Sequence, residues 1–358
     1  MSEITELSEK LKNARNAYYN LDPILSDLEY DALKSRLQEL DPLNEEIISI
    51  GAEIQSNTPW EKIAHNIPMG SLEKVNSKNE FFEWCSNTKS KEFLITHKID
   101  GSSLEVIYEH GKLTKCLSRG DGYEGENITI NAIKIPNVPR IINAHEDITV
   151  RGEVVMLKSI FKEKYSDEYA NPRNTAAGKL RDKKNKGEDC KNLHFFAYTM
   201  FGPKLNTEAE QFKTLSNLGF DTPNVNVGDI DMMIQTFESI NRENIPYEID
   251  GMVIRINDLQ HQASMGEKNM RPLGQIAWKF DPATSVSTVV NIKWQVGPSG
   301  RVSPVAVVKP INIGGVEITN ISLHNLSMFK DLSLYKNCKV LISKRNDLIP
   351  FIEKRIDD

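Results

Sequence analysis

The apolar positions of this chain follow three successive rhythms. From Ile4 to Leu40, Leu7, Leu11, Ala14 and Tyr18 recur at helical spacing, break at Asp22-Pro23, and resume through Tyr30, Leu33, Leu37 and Leu40. Two helices joined by a turn are predicted there. Residues 43–68 have no period, carry Pro59 and Pro68, and read as a linker, with a domain boundary near residue 65. From there to about residue 285, short β-type runs alternate with helical ones. Strands are predicted at 93–99, 103–109, 112–118, 148–156, 194–200, 251–256 and 275–280, and helices near 78–88, 157–166 and 208–218. His110-Gly111 is a hairpin turn in this series, and the order is that of antiparallel sheets, not of repeated βαβ units. Beyond residue 286 the pattern is all β, with runs at Ser287–Ile292, Val302–Val308, Val316–Ile321 and Lys339–Ser343 that suit a small barrel. The fold class expected is α+β and multidomain: a small helical domain over 1–64, a domain of antiparallel sheets with helices over 65–285, and a C-terminal β-barrel over 286–358.

Composition changes this picture little. The chain has 358 residues, enough for two or three ordinary cores. Charged residues make up 26%, and no apolar run approaches the roughly 18–20 residues of a membrane span. The N-terminal residues lack the basic start and apolar stretch of a secretory signal, so a cytoplasmic protein is expected, in a bacterial cell or in a host cell if the source is viral. Cys85, Cys116, Cys190 and Cys338 lie far apart with no Cys-x-x-Cys pair, which suggests neither a disulfide framework nor a zinc site. A net charge of −6 excludes a uniformly basic nucleic-acid coat and leaves room for a local basic cleft.

Candidate chemistry begins at Phe93-Leu94-Ile95-Thr96-His97-Lys98-Ile99-Asp100-Gly101. The apolar run delivers Lys98 to the end of a strand, and the Asp-Gly turn starts a second alternating strand through Leu104, Val106 and Tyr108. Such a lysine either snorkels into water or, beside cations in a partly buried site, serves as a nucleophile through its unprotonated amine. In the N-terminal turn, Tyr18, Tyr19, Asp27, Tyr30 and Asp31 are open to two readings: capping and core roles, or a stacking and hydrogen-bonding pocket for a planar, positively charged ring. The charged run over Gly178–Asn192 reads as a solvated loop, with a phosphate-facing Arg181 as the alternative.

Five further stretches line up behind Lys98: Ser118-Arg119-Gly120-Asp121-Gly122, Arg151-Gly152-Glu153, Asn171-Pro172-Arg173-Asn174 with Ala176-Ala177-Gly178, Glu248-Ile249-Asp250-Gly251-Met252-Val253-Ile254-Arg255, and Ala277-Trp278-Lys279-Phe280. In this order and spacing they are similar to the nucleotidyltransferase motifs of DNA ligases, RNA ligases and capping enzymes. With Val-Gly-Pro-Ser-Gly-Arg-Val-x-Pro-Val-Ala near residue 300, nearly the whole chain resembles the NAD-dependent DNA ligases of bacteria and some viruses. The resemblance implies an ATP-grasp-like central domain and an oligonucleotide-binding (OB) barrel. It also implies that Lys98 attacks the α-phosphorus of NAD, forms lysyl-AMP and releases nicotinamide mononucleotide. AMP then passes to the 5′-phosphate of a nick and is displaced by the 3′-hydroxyl. Arg119, Arg255 and Lys279 would supply cations around the phosphorus, Asp100 and Glu153 carboxylates that orient lysine, ribose or metal, and Glu153 a place for Mg²⁺. Ser71, Leu72, Thr96 and Tyr198 would line the nucleotide site. Tyr18, Tyr19, Asp27, Tyr30 and Asp31 would form the nicotinamide-mononucleotide pocket that separates NAD users from ATP users.

Four positions depart from the family pattern. Thr96 stands where a glutamate is usual, Tyr19 where a histidine is common, Arg255 where a lysine is usual, and Pro298 where a basic residue is expected. The family's four-cysteine zinc module, helix-hairpin-helix domain and C-terminal BRCT-like domain have no counterpart in these residues. The expectation is a minimal ligase, a fragment, or the adenylating subunit of a split phage-type ligase whose partner chain carries those parts, with nicked duplex DNA as substrate and no membrane partner. An ATP-dependent ligase or capping-type nucleotidyltransferase, and a non-catalytic DNA-binding subunit descended from a ligase, are the alternatives.

Overall fold

The computed structural model of the chain describes residues 3–20, 25, 27–41, 44, 46, 60–280, 284–296, 302–313, 316–323, 325–345 and 349–356. Packing divides the chain into two compact units, one of Met1–Tyr18, Pro23–Ile47 and Asp281–Asp358, the other of Tyr19–Asp22 and Ile48–Phe280. The predicted N-terminal helices span Glu3–Asn20 and Asp27–Leu40. Leu11 and Leu37 are fully buried between them, with Ile4, Leu7, Tyr30 and Leu33 packed around. The side chains of Tyr18, Tyr19, Asp27 and Asp31, and the whole of Pro298, lie outside the described residues.

In the larger unit the strands are β1 Lys62–Ala64, β2 Glu73–Val75, β3 Phe93–Ile99, β4 Ser102–Glu109, β5 Lys112–Ser118, β6 Glu124–Glu126, β7 Ile148–Met156, β8 Leu193–Phe201, β9 Val225–Gly228, β10 Ile249–Ile256, β11 Glu267–Lys268, β12 Arg271–Pro272 and β13 Gln275–Lys279. They form a five-stranded sheet in the order β2-β13-β10-β3-β9, a four-stranded sheet in the order β5-β4-β7-β8, and two-stranded sheets of β1 with β6 and β11 with β12. All pairings are antiparallel except β13 with β2. The α+β class expected from the sequence is the class observed. His110 and Gly111, both at positive φ, close the β4–β5 hairpin as expected. Asp100-Gly101 starts β4, as expected, and carries the chain from one sheet into the other.

Side-chain alternation along β3 serves two cores. Phe93 and Ile95 pack with Val75, Phe81, Met252, Ile254 and Trp278, whereas Leu94 joins Leu104, Val106, Val150, Phe195 and Phe212. Thr96 and Lys98 therefore share the Leu94 face. The run over 178–192 is more ordered than a loop. Helix Pro172–Leu180 enters it and a 3₁₀ turn, Glu188–Asn192, leaves it. Lys179 pairs with Asp189 at 2.8 Å, and Arg181 lies 3.5 Å from Glu126. Lys183, Lys184, Asn185 and Lys186, with Glu188 and Lys191 beyond them, are exposed as a solvated loop requires.

The C-terminal strands are β14 Thr284–Val296, β15 Val302–Ile313, β16 Val316–Ser322, β17 Lys339–Arg345 and β18 Ile349–Ile356, in the order β16-β15-β14-β17-β18. One long strand organises this sheet. The first part of β14, Thr284–Thr288, pairs with β17, and the remainder pairs with β15 after a register shift between Val289 and Asn291. That bulge bends the strand enough to serve both halves of a barrel. Among the described residues no ladder joins β16 to β18, although the two strands are in contact.

Candidate active site

Three neighbouring strands build the centre of the site. Gly251 of β10 lies in register with Lys98 of β3 on one side and Lys279 of β13 on the other. Between Ile249 and Gly251 the β10–β3 register shifts, and such a bulge re-aims the intervening side chain. That side chain is Asp250. Its Oδ2 accepts from Lys98 Nζ at 3.0 Å and from Lys279 Nζ at 2.5 Å. Residue 251 must be glycine, because a Cβ there would stand 2.3 Å from the Trp278 carbonyl oxygen.

Burial opposes the charge on Asp250, but the two ammonium groups outweigh it and hold the carboxyl well below the usual range. Asp100 shows the reverse balance. Burial raises its pKa even though Arg173 Nη1 lies 2.8 Å from Oδ1, and the charge of Asp250 adds to the rise. Glu153, on β7, accepts from Ser103 Oγ at 2.9 Å, and burial pushes its carboxyl up to about 7. Burial likewise lifts the Tyr198 phenol to about 12, with the Glu153 charge contributing.

The remaining expected residues fall into two groups. Arg119, at the end of the β4–β5 hairpin, donates from Nη2 to Ser71 Oγ at 3.0 Å and from Nε to the Met69 carbonyl at 3.3 Å, which ties it to the segment carrying Ser71 and Leu72. Arg255 is not gathered at Asp250. It stands opposite Leu94 further along β10, 4% exposed, donates from Nη1 to Thr96 Oγ1 at 2.9 Å and lies over the Phe212 ring. Burial lowers its pKa. Two site residues escaped the sequence reading although both sit in the quoted motifs: Asp250, the anion between the lysines, and Arg173, the partner of Asp100. Their signal was the motif wording itself, since no periodicity distinguishes them. Among the described residues, no group of three or more His, Cys, Asp or Glu is placed to hold a metal ion.

A strand-borne lysine among cations and half-buried carboxylates, in a two-sheet domain followed by a five-stranded β-domain, defines a nucleotidyltransferase-like class of protein. Residues 57–283 match the family model of the NAD-dependent DNA ligase adenylation domain, 286–358 that of the NAD-dependent DNA ligase OB-fold domain, and 1–50 that of the DNA ligase-like N-terminal NAD+-binding domain. The chain belongs to the NAD-dependent DNA ligase family. It is 34% identical over 386 residues to a DNA ligase of Sorangium cellulosum, covering 99% of this chain and 56% of that protein. It is 34% identical over 391 residues to one of Brachyspira hyodysenteriae, covering 99% and 58%. It is 36% identical over 360 residues to one of Campylobacter jejuni, covering 94% and 55%. The chain thus spans little more than half the length of the curated relatives it matches.

Proposed function

We propose that this chain is the adenylating part of an NAD-dependent DNA ligase, with Lys98 as the nucleophile. The observation that carries the reading is the convergence of Lys98 and Lys279 on Asp250 Oδ2. Together they place a nucleophilic amine and a second cation on one carboxylate oxygen, an arrangement suited to attack on a phosphate whose charge the second cation offsets. The Lys98 amine forms a nitrogen–phosphorus bond to the α-phosphorus of NAD. The phosphoanhydride bond breaks, its electron pair leaves with nicotinamide mononucleotide, and the amine proton passes to solvent. A 5′-phosphate oxygen of the nick then takes the adenylyl group and frees Lys98. The 3′-hydroxyl attacks that 5′-phosphorus, AMP departs, and the strand is sealed.

Lys279 and Arg119 neutralise phosphate charge in this scheme, Asp100 with Arg173 and Glu153 with Ser103 orient ribose and lysine, and Ser71, Leu72 and Tyr198 line the nucleotide. Thr96 lies two residues from Lys98 on the same face, beside Arg255, so this pair meets the nucleoside end and not the reacting phosphate. Tyr18, Tyr19, Asp27, Tyr30 and Asp31 take the nicotinamide mononucleotide half; the division at 285/286 follows these roles, while the one expected at 64/65 moves toward the N-terminus, because β1 pairs with β6 of the larger unit. The donor set fits a magnesium ion held by one or two carboxylates together with substrate phosphates: Asp250 Oδ1 is buried with no hydrogen-bond partner, and Glu153 keeps an oxygen beyond its bond to Ser103. Mg²⁺ held there would supply charge neutralisation of the phosphates. The polynucleotide partner is nicked duplex DNA, and a second chain can supply further grip on it.

The test is incubation with NAD or ATP labelled in the adenylate, followed by denaturing gel. An acid-labile protein–AMP adduct from NAD and not from ATP is expected, lost in Lys98→Ala and in Lys98→Arg because arginine stays protonated. Full adenylation of either variant refutes the assignment, and an adduct from ATP alone moves the chain to the ATP-dependent class.

A further inference from the structure

The segment His65–Leu72 runs into the site from β1 and ends at Ser71 and Leu72, yet only residues 62–64 before it and 73–75 after it belong to strands. What fixes it is a buried polar network. Arg151, on β7 and 6% exposed, donates from Nε to Glu105 Oε2 at 2.7 Å, from Nη1 to the Pro68 carbonyl at 3.0 Å, and from Nη2 to the Ile67 carbonyl. Its whole planar fork is engaged. Glu105, on β4 and 1% exposed, uses its other oxygen for His65 Nδ1 at 2.8 Å, and His65 Nε2 lies 3.1 Å from the Arg119 carbonyl. The backbone adds two bonds: His65 N–H to the Tyr123 carbonyl and Met69 N–H to the Gly122 carbonyl, each 2.8 Å. On the far side, residue 70 is held against the backbone of Met270, whose carbonyl oxygen a Cβ on Gly70 would meet at 1.8 Å.

A buried ion pair is a weak way to stabilise a fold, since apolar residues of the same volume serve as well or better. It is a strong way to fix direction, because a guanidinium holds three acceptors in one plane. Here two of those acceptors are successive carbonyls of the segment that carries Ser71, and the histidine bonded to the shared carboxylate touches the carbonyl of Arg119. Arg119 in turn bonds Ser71. The loop is closed.

We propose that Arg151, Glu105 and His65 are positioning residues for nucleotide binding: they set where Ser71, Leu72 and Arg119 stand without touching the nucleotide. The inference rests on the proposed NAD site at those residues. The network acts before chemistry, so its loss weakens binding more than it slows attack by Lys98.

Arg151→Lys keeps the charge but offers one nitrogen where the fork offered three. Glu105→Gln keeps the shape and removes the anion. For each variant of the full chain, the single-turnover rate of adduct formation is measured against NAD concentration, the melting temperature is recorded, and AMP binding is titrated calorimetrically. The expected result is a rise in the NAD concentration for half-maximal rate, and in the AMP dissociation constant, of about tenfold, the effect of losing about 1.4 kcal/mol of binding. The saturating rate stays within a small factor of wild type. Folded variants that melt lower but bind AMP and use NAD as wild type does would show the network to be structural only, and overturn the proposal. If Arg151→Lys does not fold, Glu105→Gln decides by the same measurements. Wild-type protein that binds AMP but forms no adduct refutes the ligase reading and leaves the AMP titrations to judge the network. Wild-type protein that neither binds AMP nor forms adduct refutes both.

Discussion

Replacing Asp250 by Asn tests the centre of the site through stability, independently of catalysis. The carboxylate oxygen lies 3.0 Å from Lys98 Nζ and 2.5 Å from Lys279 Nζ, so the ammonium groups are separated by no more than about 6 Å. At an effective dielectric of about 20, two positive charges at that distance repel by about 3 kcal/mol. In wild type the carboxylate more than offsets this. The three side chains are 21–28% exposed, so solvent screens part of the interaction, and we expect the variant to lose about 2 kcal/mol at pH 7. In a unit of about two hundred residues that corresponds to a fall of roughly 4–8 °C in melting temperature. The pH dependence has a definite sign. Asp250 is held below its unfolded value, so its contribution is present above the unfolded carboxylate pKa of about 3.9 and is lost as pH falls through the folded one. The gap between wild type and Asp250→Asn in thermal melts should therefore be full at pH 7 and close on acidification below pH about 3. A variant that melts with wild type at pH 7, or a gap that widens with acid, would refute the reasoning.

Glu153 gives the opposite sign. Burial raises its pKa to about 7, so the stability tied to its protonated form is present below about pH 4.3 and is lost as pH rises through about 7. Glu153→Gln should flatten the stability profile across that window in thermal melts, and an unchanged slope would count against a buried, easily protonated Glu153. In the N-terminal helices, Tyr30→Ala or Asp31→Ala should impair adenylation from NAD while sparing the sealing of a nick that already carries AMP. Equal loss of both reactions in a folded variant would remove the case for a nicotinamide mononucleotide pocket there.

Most of the fold was legible because its elements are long and their periods clean. The expected strands over 93–99, 112–118 and 148–156 are observed with the same bounds, as is the helix Lys78–Thr88, whose cap at Ser77 accepts from the Glu80 N–H. Several of the elements missed are short or cryptic, although helix Ile230–Glu238, with its clear apolar face, was legible and was not among those expected. Strands Lys62–Ala64, Glu73–Val75 and Glu124–Glu126 have three residues each, too few to show a period, and exist only because distant strands pair with them. Helix Pro172–Leu180 was hidden by its small and polar residues, although Asn171 caps it by accepting from Asn174 N–H, and Pro172 starts it. The β18 strand was overlooked because its apolar residues are interrupted by Glu353, Lys354 and Arg355.

The site was legible to a different depth. Sequence could place Lys98 on a strand and Lys279 at the end of another, 181 positions later in the chain, but not that both meet on one oxygen. That convergence depends on strand order, on the Gly251 register and on the bulge before it, none of which leaves a local pattern. The same limit explains Thr96 and Arg255. Read along the chain, they are two unrelated departures from the family pattern, one removing an acidic group and one widening a cation. In the folded sheet they are partners across adjacent strands, 2.9 Å apart and buried together. The guanidinium bonds the Thr96 hydroxyl and lies over the face of Phe212, with the charge of the buried Glu208 acting on it as well. The two departures are thus coupled in the fold, a hydroxyl and a guanidinium bonded to each other across β3 and β10.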